Sequence, residues 1–386
     1  MKRFGVVALL CLTTFAVADP APPETLAGDD LGQGLWWLYH LRYEKAIGLY
    51  DQHIAAHPED PAGYFYKAAA DWWHLAQELE YDHPDLQTRF YGSVDLAVEK
   101  AKEQLEKLDE KTQAHQAALA YLYWGGAEGL RGRWLVAQKH WAKAYFSGRE
   151  GDSRLKDALA LDPTLYDADM GLGIYDYFSD TLSGFMGFLA NVFVRGDRKR
   201  GISELELAIE KGDHARIESQ IFLSEIYLFE ENTPEKALPM VEGLYKKFPD
   251  SPLMHLLLIT ALYQTKQWDR METEARDYLA KSEKETPWYT KSGVAPALYC
   301  LGMSDLWNHQ RPDDAFVKMT QIIENAPADD PNRWISFAHL RRGQIDDLRH
   351  DRAKAEAEYR LVLNRKDIWG SHHEAEKYLK KPFAMP

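Results

Sequence analysis

A fixed spacing of small, apolar and proline residues recurs along this chain and constrains its fold more than any other feature. An alanine is followed four residues later by an aromatic or apolar residue, and eight residues after that by a proline. The pattern occurs three times, at Ala46, Tyr50 and Pro58; at Ala237, Val241 and Pro249; and at Ala315, Met319 and Pro327. A fourth copy, Ala355 with Tyr359, lacks the proline. Because recurrence at a fixed step is typical of stacked helical hairpins, the pattern predicts a solenoid.

These copies resemble tetratricopeptide repeats, whose pattern also places a small residue twelve positions before the alanine. Gly34 and Gly343 hold that position in the first and last copies, whereas Glu225 and Met303 depart from it in the other two. The resemblance implies that the first helix of each hairpin lines a concave groove. Since no long stretch shows strand-like alternation, we predict an all-α, right-handed superhelical solenoid of about nine antiparallel hairpins over 34–386. Within it we expect one hairpin with helices over 117–131 and 134–147, an extended loop over 80–92, and a charged capping helix over 374–381.

The first residues have the composition of a secretory signal peptide. Lys2 and Arg3 precede the apolar segment 4–15, and Ala16 and Ala18 supply small residues at the cleavage positions. Such a segment is too short to act as a membrane anchor. We therefore expect cleavage after Ala18, a periplasmic or secreted protein without an integral membrane segment, and a flexible lead-in over 19–33.

Charge and cysteine content exclude several classes of function. The net charge of −14 disfavours nucleic acid as a partner, because phosphate backbones repel an acidic surface. Signal cleavage removes Cys11 and leaves Cys300 alone, so no internal disulfide is expected. The apolar neighbours of Cys300 indicate a small buried side chain rather than a catalytic thiol.

Catalytic and metal-binding patterns are weak throughout the sequence. It has no nucleophile elbow and no phosphate-cradling glycine loop. His53 and His57 stand four apart at a helix end, while His372 and His373 are adjacent rather than at helical ligand spacing. We expect no enzyme activity, no cofactor and no metal.

An apolar segment at 180–196 interrupts the repeat rhythm within the second of two candidate sub-stacks, 34–160 and 161–386. If Gly173 is the glycine at one helix crossing, its partner Gly201 follows some sixteen residues late. The segment is either a plug in the groove or an exposed recognition element for a partner. Its candidate binding residues are the apolar Phe185 and Phe188, and the basic Arg195 and Arg198 that follow.

Aromatic residues recur on the first helices and supply the groove candidates. Packing in the core and lining of a ligand groove are both open for these side chains, because adjacent helical residues point about 100° apart. Basic residues are scarce at matching places, so a clamp for a terminal carboxylate is not supported. The candidates are Trp37, Trp73, Trp124, Tyr175 and Tyr177.

These features favour a non-enzymatic periplasmic scaffold or adaptor in cell-envelope assembly or export. It would bind a protein partner or an extended peptide through its concave groove. The alternative is an all-α carbohydrate-binding or carbohydrate-active envelope protein, since 12 Trp and 21 Tyr would suit stacking on sugars. A homodimer through the first hairpins is left open.

Overall fold

The structure is a computed structural model that describes residues 21–77, 83–185, 196–326 and 333–385. These residues form helices joined by short turns, and the described part of the chain contains no strand. The predicted all-α class is therefore confirmed. The expected signal peptide at 1–18 lies outside the described residues.

Seventeen α-helices follow one another in the described ranges. They are α1 (Asp30–Tyr39), α2 (Tyr43–Ala56), α3 (Pro61–Gln77), α4 (Pro84–Leu105), α5 (Ala114–Ala137), α6 (Trp141–Leu161), α7 (Asp167–Phe185), α8 (Arg198–Lys211), α9 (Arg216–Glu225), α10 (Pro234–Lys247), α11 (Pro252–Gln264), α12 (Trp268–Glu283), α13 (Val294–Trp307), α14 (Pro312–Asn325), α15 (Arg333–Leu348), α16 (Arg352–Leu363) and α17 (Ser371–Lys380). A π-helical turn, Ile226–Glu230, extends α9, and short 3-10 turns occupy Glu24–Leu26 and Lys291–Gly293.

Successive helices pack as hairpins, α1 with α2 through α15 with α16, which gives eight pairs within the described ranges and a closing helix α17. The repeat alanines lie where the helices meet, and Ala46, Ala237 and Ala355 are fully buried. Gly34 faces the ring of Tyr50, since a Cβ atom at Gly34 would lie 2.2 Å from Tyr50 Cε1. The small residue twelve positions before the alanine is therefore a requirement of close helix packing.

Gly173 and Gly201 meet as the sequence predicts, although the first part of the segment 180–196 belongs to α7, which continues to Phe185. A Cβ atom on either glycine would lie 2.7 Å from the carbonyl oxygen of the other. Asp197 caps α8 by accepting a 3.0 Å hydrogen bond from the Arg200 N–H. The pairing of α8 with α7, which the two glycines predict, is thus confirmed.

Three helix boundaries differ from the expectation. Trp134 was expected to open a second helix, but it lies inside α5, because no glycine turn or proline interrupts the chain before the turn at Lys139 with φ 62°. Gly92 was expected in a loop and lies within α4, which starts at Pro84, where proline suits the first helical position. Helix α1 begins at Asp30, four residues before Gly34.

The first hairpins contact the middle of the stack, so the solenoid curls back on itself. Arg133 on α5 donates a 2.7 Å hydrogen bond to Glu218 on α9. The rings of Trp36 on α1 and Phe248 after α10 lie 5.6 Å apart. Residues from α1, α3, α9 and α11 consequently share one hydrophobic core. This packing covers part of the groove expected along the first helices.

Helix α17 closes the C-terminal end of the stack. Arg352 Nη2 donates to the backbone carbonyls of Tyr378 and Leu379, at 2.8 and 2.7 Å. These carbonyls belong to the last turn of α17, where no intrahelical donor remains. The charged helix expected as a polar cap is therefore in place.

A further prediction from the sequence concerns the burial of Cys300. Cys300 is buried on α13, and burial raises the pKa of its thiol to about 12, in agreement with a small core residue. Among the described residues, no helix combines the length and apolar character needed to cross a membrane.

Candidate functional site

The five aromatic groove candidates lie on first helices but differ in burial. Trp73 and Tyr177 are buried in the core. Trp37, Trp124 and Tyr175 are half-buried. Two of the five positions are therefore packing residues in this structure, and three keep part of their surface exposed.

Two of the half-buried rings carry cations on their faces. The Lys45 ammonium lies 4.3 Å from the ring centre of Trp37. Lys102 and Arg154 lie 4.5 and 4.8 Å from the ring centre of Trp124. Cation–π contacts therefore already occupy faces that a ligand would stack on.

Tyr177 and Arg198, which the sequence analysis named separately, meet in one hydrogen-bonded group. Arg198 Nη2 donates to the Tyr177 hydroxyl and to Glu231 Oε1, each at 2.8 Å. The Tyr177 hydroxyl donates to the same Glu231 oxygen at 2.8 Å. This hydrogen bond holds the pKa of Glu231 below its ordinary value, and burial raises that of Tyr177. The group ties α7, α8 and the π turn together.

The remaining insertion candidates lie beyond what the structure describes. Phe188 and Arg195 are outside the described residues, as is the side chain of Phe185. The choice between plug and recognition element stays a prediction.

A continuous row of aromatic side chains runs along the first helices of the last hairpins. Tyr263 on α11 lies 6.4 Å from Tyr299 on α13, and Tyr299 lies 6.3 Å from Phe337 on α15, measured between ring centres. Phe337 lies 6.4 Å from Trp369, which stacks on Phe229 at 6.1 Å with an interplanar angle of 20°. We call these five residues the aromatic row.

The aromatic row passes from the core to the surface. Tyr299 is buried, while Trp369 and Phe229 are 57% and 46% exposed. Contiguous exposed apolar area costs free energy in water and often marks a contact surface. The stacked pair Phe229–Trp369 is therefore the candidate contact surface.

Positive charge lies beside the buried part of the row. Arg341 Nε donates a 2.9 Å hydrogen bond to the Tyr299 hydroxyl, and its Nη1 donates to Gln344 at 2.9 Å. The fold thus places a guanidinium next to aromatic rings, a combination common at protein interfaces.

One cluster of histidine and carboxylates has spacing compatible with a metal, among the residues that the structure describes. His255 Nε2 lies 3.1 Å from Glu274, and its Nδ1 lies 3.1 Å from the Tyr289 hydroxyl. Burial lowers the pKa of His255 to about 4, so the ring is neutral. Lys281 lies 2.8 Å from the third member, Asp277. With both ring nitrogens engaged and an ammonium present, the cluster is a structural hydrogen-bond network.

Comparisons with known proteins give distant structural likenesses. Human IFIT1, solved as a dimer with m7Gppp-AAAA, is 13% identical over 91% of this chain and 80% of that chain, with a TM-score of 0.45. Yeast Tom70 is 12% identical over 91% and 87%, with a TM-score of 0.39. The P58(IPK) TPR domain is 13% identical over 92% and 97%, with a TM-score of 0.25. No protein-family model and no curated protein matches the sequence.

Identities and TM-scores this low carry no argument about function. The helical-repeat architecture is evident from the chain's own hairpins, its buried repeat alanines and its glycine crossings.

Sequence reasoning missed the aromatic row. Tyr263 and Tyr299 stand about one repeat apart on first helices, so an aligned search for aromatics at the repeat step would have found them. Repeat periodicity does not indicate Phe229 or Trp369. Phe229 lies in the π turn, and Trp369 is itself a turn residue with φ 51°.

Proposed function

We propose that the protein is a non-enzymatic, periplasmic scaffold that binds an extended segment of a protein partner in cell-envelope assembly or export. The aromatic row carries this proposal. It places the stacked rings of Phe229 and Trp369 at the surface and continues inward along three first helices.

Chemistry favours a peptide segment as the occupant. Aromatic residues with a neighbouring arginine provide most of the binding energy in many protein interfaces, since they bury large areas with few rotatable bonds. A partner side chain stacked on Trp369 would remove the exposed apolar area of this pair from water. Because Tyr299 is buried, an extended segment would contact the row at its exposed end, Phe229 and Trp369.

The test is partner capture with matched surface variants. Immobilised chain from residue 19 onward is incubated with envelope extract, cross-linked and analysed by mass spectrometry. We expect a reproducible partner, and we expect the double variant Phe229→Ser with Trp369→Ser to lose it. The control is Phe146→Ser on α6, because Phe146 is 67% exposed and lies on a second helix.

Several outcomes would contradict the proposal. One is equal capture by the native chain and the double variant, provided both show the same circular dichroism. Another is capture of no protein while oligosaccharides change the tryptophan emission of the native chain, which would favour the carbohydrate-binding alternative. Periplasmic location is tested separately by cell fractionation and by the N-terminal sequence of the mature protein, expected to start at Asp19.

A further inference from the structure

A cavity of about 290 Å³ lies where the first hairpins contact the middle of the stack. It is distinct from the aromatic row and depends on the curling of the solenoid, because its walls come from α3, α5, α9, α11, α12 and the turn before α13. Its volume is at the lower end for small-molecule sites. The lining includes Trp72, Trp73, Arg133, Phe222, Leu253 and Trp288.

The buried side-chain polar atoms of the cavity lining that have no hydrogen-bond partner among the described residues are all donors. Arg133 uses Nη1 for its hydrogen bond to Glu218, but its Nη2 is buried without a partner among the described residues. The indole Nε1 groups of Trp72 and Trp73 are likewise buried and unpartnered there. Trp73 itself is only 7% exposed. Since buried donors are normally satisfied, three in contacting side chains indicate a missing acceptor.

The three donors lie on side chains that form one contiguous group, in which Trp72 contacts both Arg133 and Trp73. The Arg133 guanidinium lies 3.7 Å from the ring centre of Trp72, and the rings of Trp72 and Trp73 meet edge to face at 5.5 Å. Arg133 also lies 4.5 Å from the ring centre of Phe222. An aromatic-walled cavity would otherwise suit an organic cation, but here Arg133 is the cation seated on the aromatic faces.

The charges of the lining limit the ligand to a single negative charge. Glu225 contributes a carboxylate to the wall, and Glu218 neutralises part of Arg133. A multiply charged anion such as phosphate would meet this negative potential. The rest of the wall includes Leu253 and Leu256, which favour an apolar body.

We infer that this cavity binds a small monocarboxylate with an apolar body. Its carboxylate oxygens accept hydrogen bonds from Arg133 Nη2 and from the indole N–H groups of Trp72 and Trp73, while its aliphatic or aromatic part packs on the leucine side. Binding at this junction would stabilise the contact between the first hairpins and the middle of the stack.

The test uses hexanoate, with hexanamide and choline as matched probes, on the chain from residue 19 onward. Three tryptophans line the cavity, so binding is followed by intrinsic emission and by the thermal unfolding midpoint. We expect a saturable emission change and a raised midpoint with hexanoate. Neutral hexanamide and cationic choline should give neither.

Substitutions of residues that line the cavity test which hydrogen-bond donors bind the carboxylate of hexanoate. Arg133→Gln and Trp73→Phe each remove a donor, and each should weaken hexanoate binding by about tenfold. Trp288→Phe is the control, because it keeps a ring in the wall and removes an N–H that is not among the unpartnered donors. It should change the affinity by less than about twofold.

The inference is overturned if hexanoate gives no saturable response, if hexanamide binds equally well, or if Trp73→Phe and Trp288→Phe bind hexanoate alike. If Arg133→Gln unfolds because Glu218 loses its partner, the comparison of Trp73→Phe with Trp288→Phe still decides whether the unpartnered indole N–H binds hexanoate. Neither result depends on whether the aromatic row binds a protein.

Discussion

Arg133 on α5 donates a 2.7 Å hydrogen bond to Glu218 on α9, across 85 positions of sequence. Both side chains are largely buried, with 17% and 10% of their surface exposed. The pair joins the third hairpin directly to the fifth. An open solenoid would not bring these residues together, so this hydrogen bond shows that the stack is curled.

Removing one member of this pair should destabilise the fold. For Arg133→Met, which keeps the apolar stem, we expect a loss of about 2–4 kcal/mol in the free energy of unfolding, because Glu218 keeps a buried, unpaired charge. Arg360→Met on α16 is the control, since its pair with Glu356 is exposed and should contribute less than about 0.5 kcal/mol. Urea denaturation measures both. Equal effects of the two substitutions would show that the α5–α9 contact is not formed in solution.

Two glycines of the first hairpin should respond oppositely to alanine. Gly34→Ala places a methyl group against the Tyr50 ring and should destabilise by about 1–3 kcal/mol. Gly48 lies inside α2, and a Cβ atom there meets nothing within 4 Å. Gly48→Ala should therefore stabilise by about 0.5–1 kcal/mol through helix propensity. Thermal unfolding of both variants is the measurement, and a stable Gly34→Ala protein would contradict the packing of this hairpin.

Glu204 on α8 should make stability fall as the pH rises. Burial raises its pKa to about 8, with a further increase from Asp176 that Arg200 partly offsets. The folded state thus favours the neutral acid. The contribution of neutral Glu204 to the free energy of unfolding is complete below the ordinary pKa of 4.5. It is lost as the pH rises toward 8, at no more than roughly 1.4 kcal/mol per pH unit.

Glu204→Gln should remove this slope and should be more stable than the native chain at pH 8.5. Urea denaturation from pH 5 to pH 9 measures the difference. Glu210→Gln is the matched control, because Glu210 is exposed on the same helix. A native chain whose stability does not change over this range would show that Glu204 is ionised at no cost in the folded protein.

Cys300 should be unreactive in the folded chain. It is buried on α13, and burial raises the pKa of its thiol to about 12, so little thiolate forms at neutral pH. A thiol-reactive dye should label the chain from residue 19 onward only after denaturant is added. Rapid labelling of native protein would place the thiol at the surface and would contradict the packing of α13.

Local features of the sequence were enough to predict the hairpins. The step from alanine to proline, the crossing glycines such as Gly34 and Gly201, and the charged closing segment each act on neighbouring helices, so their effect can be read along the chain. The errors at Trp134 and Gly92 concern helix ends, where a proline or a residue with positive φ decides and periodicity gives little information.

The candidate site required the tertiary structure. Trp73 and Tyr177 have the same local pattern as the half-buried Trp37 and Trp124, yet both are buried. The curl of the stack covers Trp73, whereas Tyr177 packs at the crossing of α7 with α8, close to Gly201. The curl also forms the cavity around Arg133 and joins Phe229 to Trp369 across 140 positions. Repeat periodicity determines that each hairpin packs on the next. The small rotation between hairpins, summed over the stack, determines which distant residues meet, and no single repeat encodes that sum.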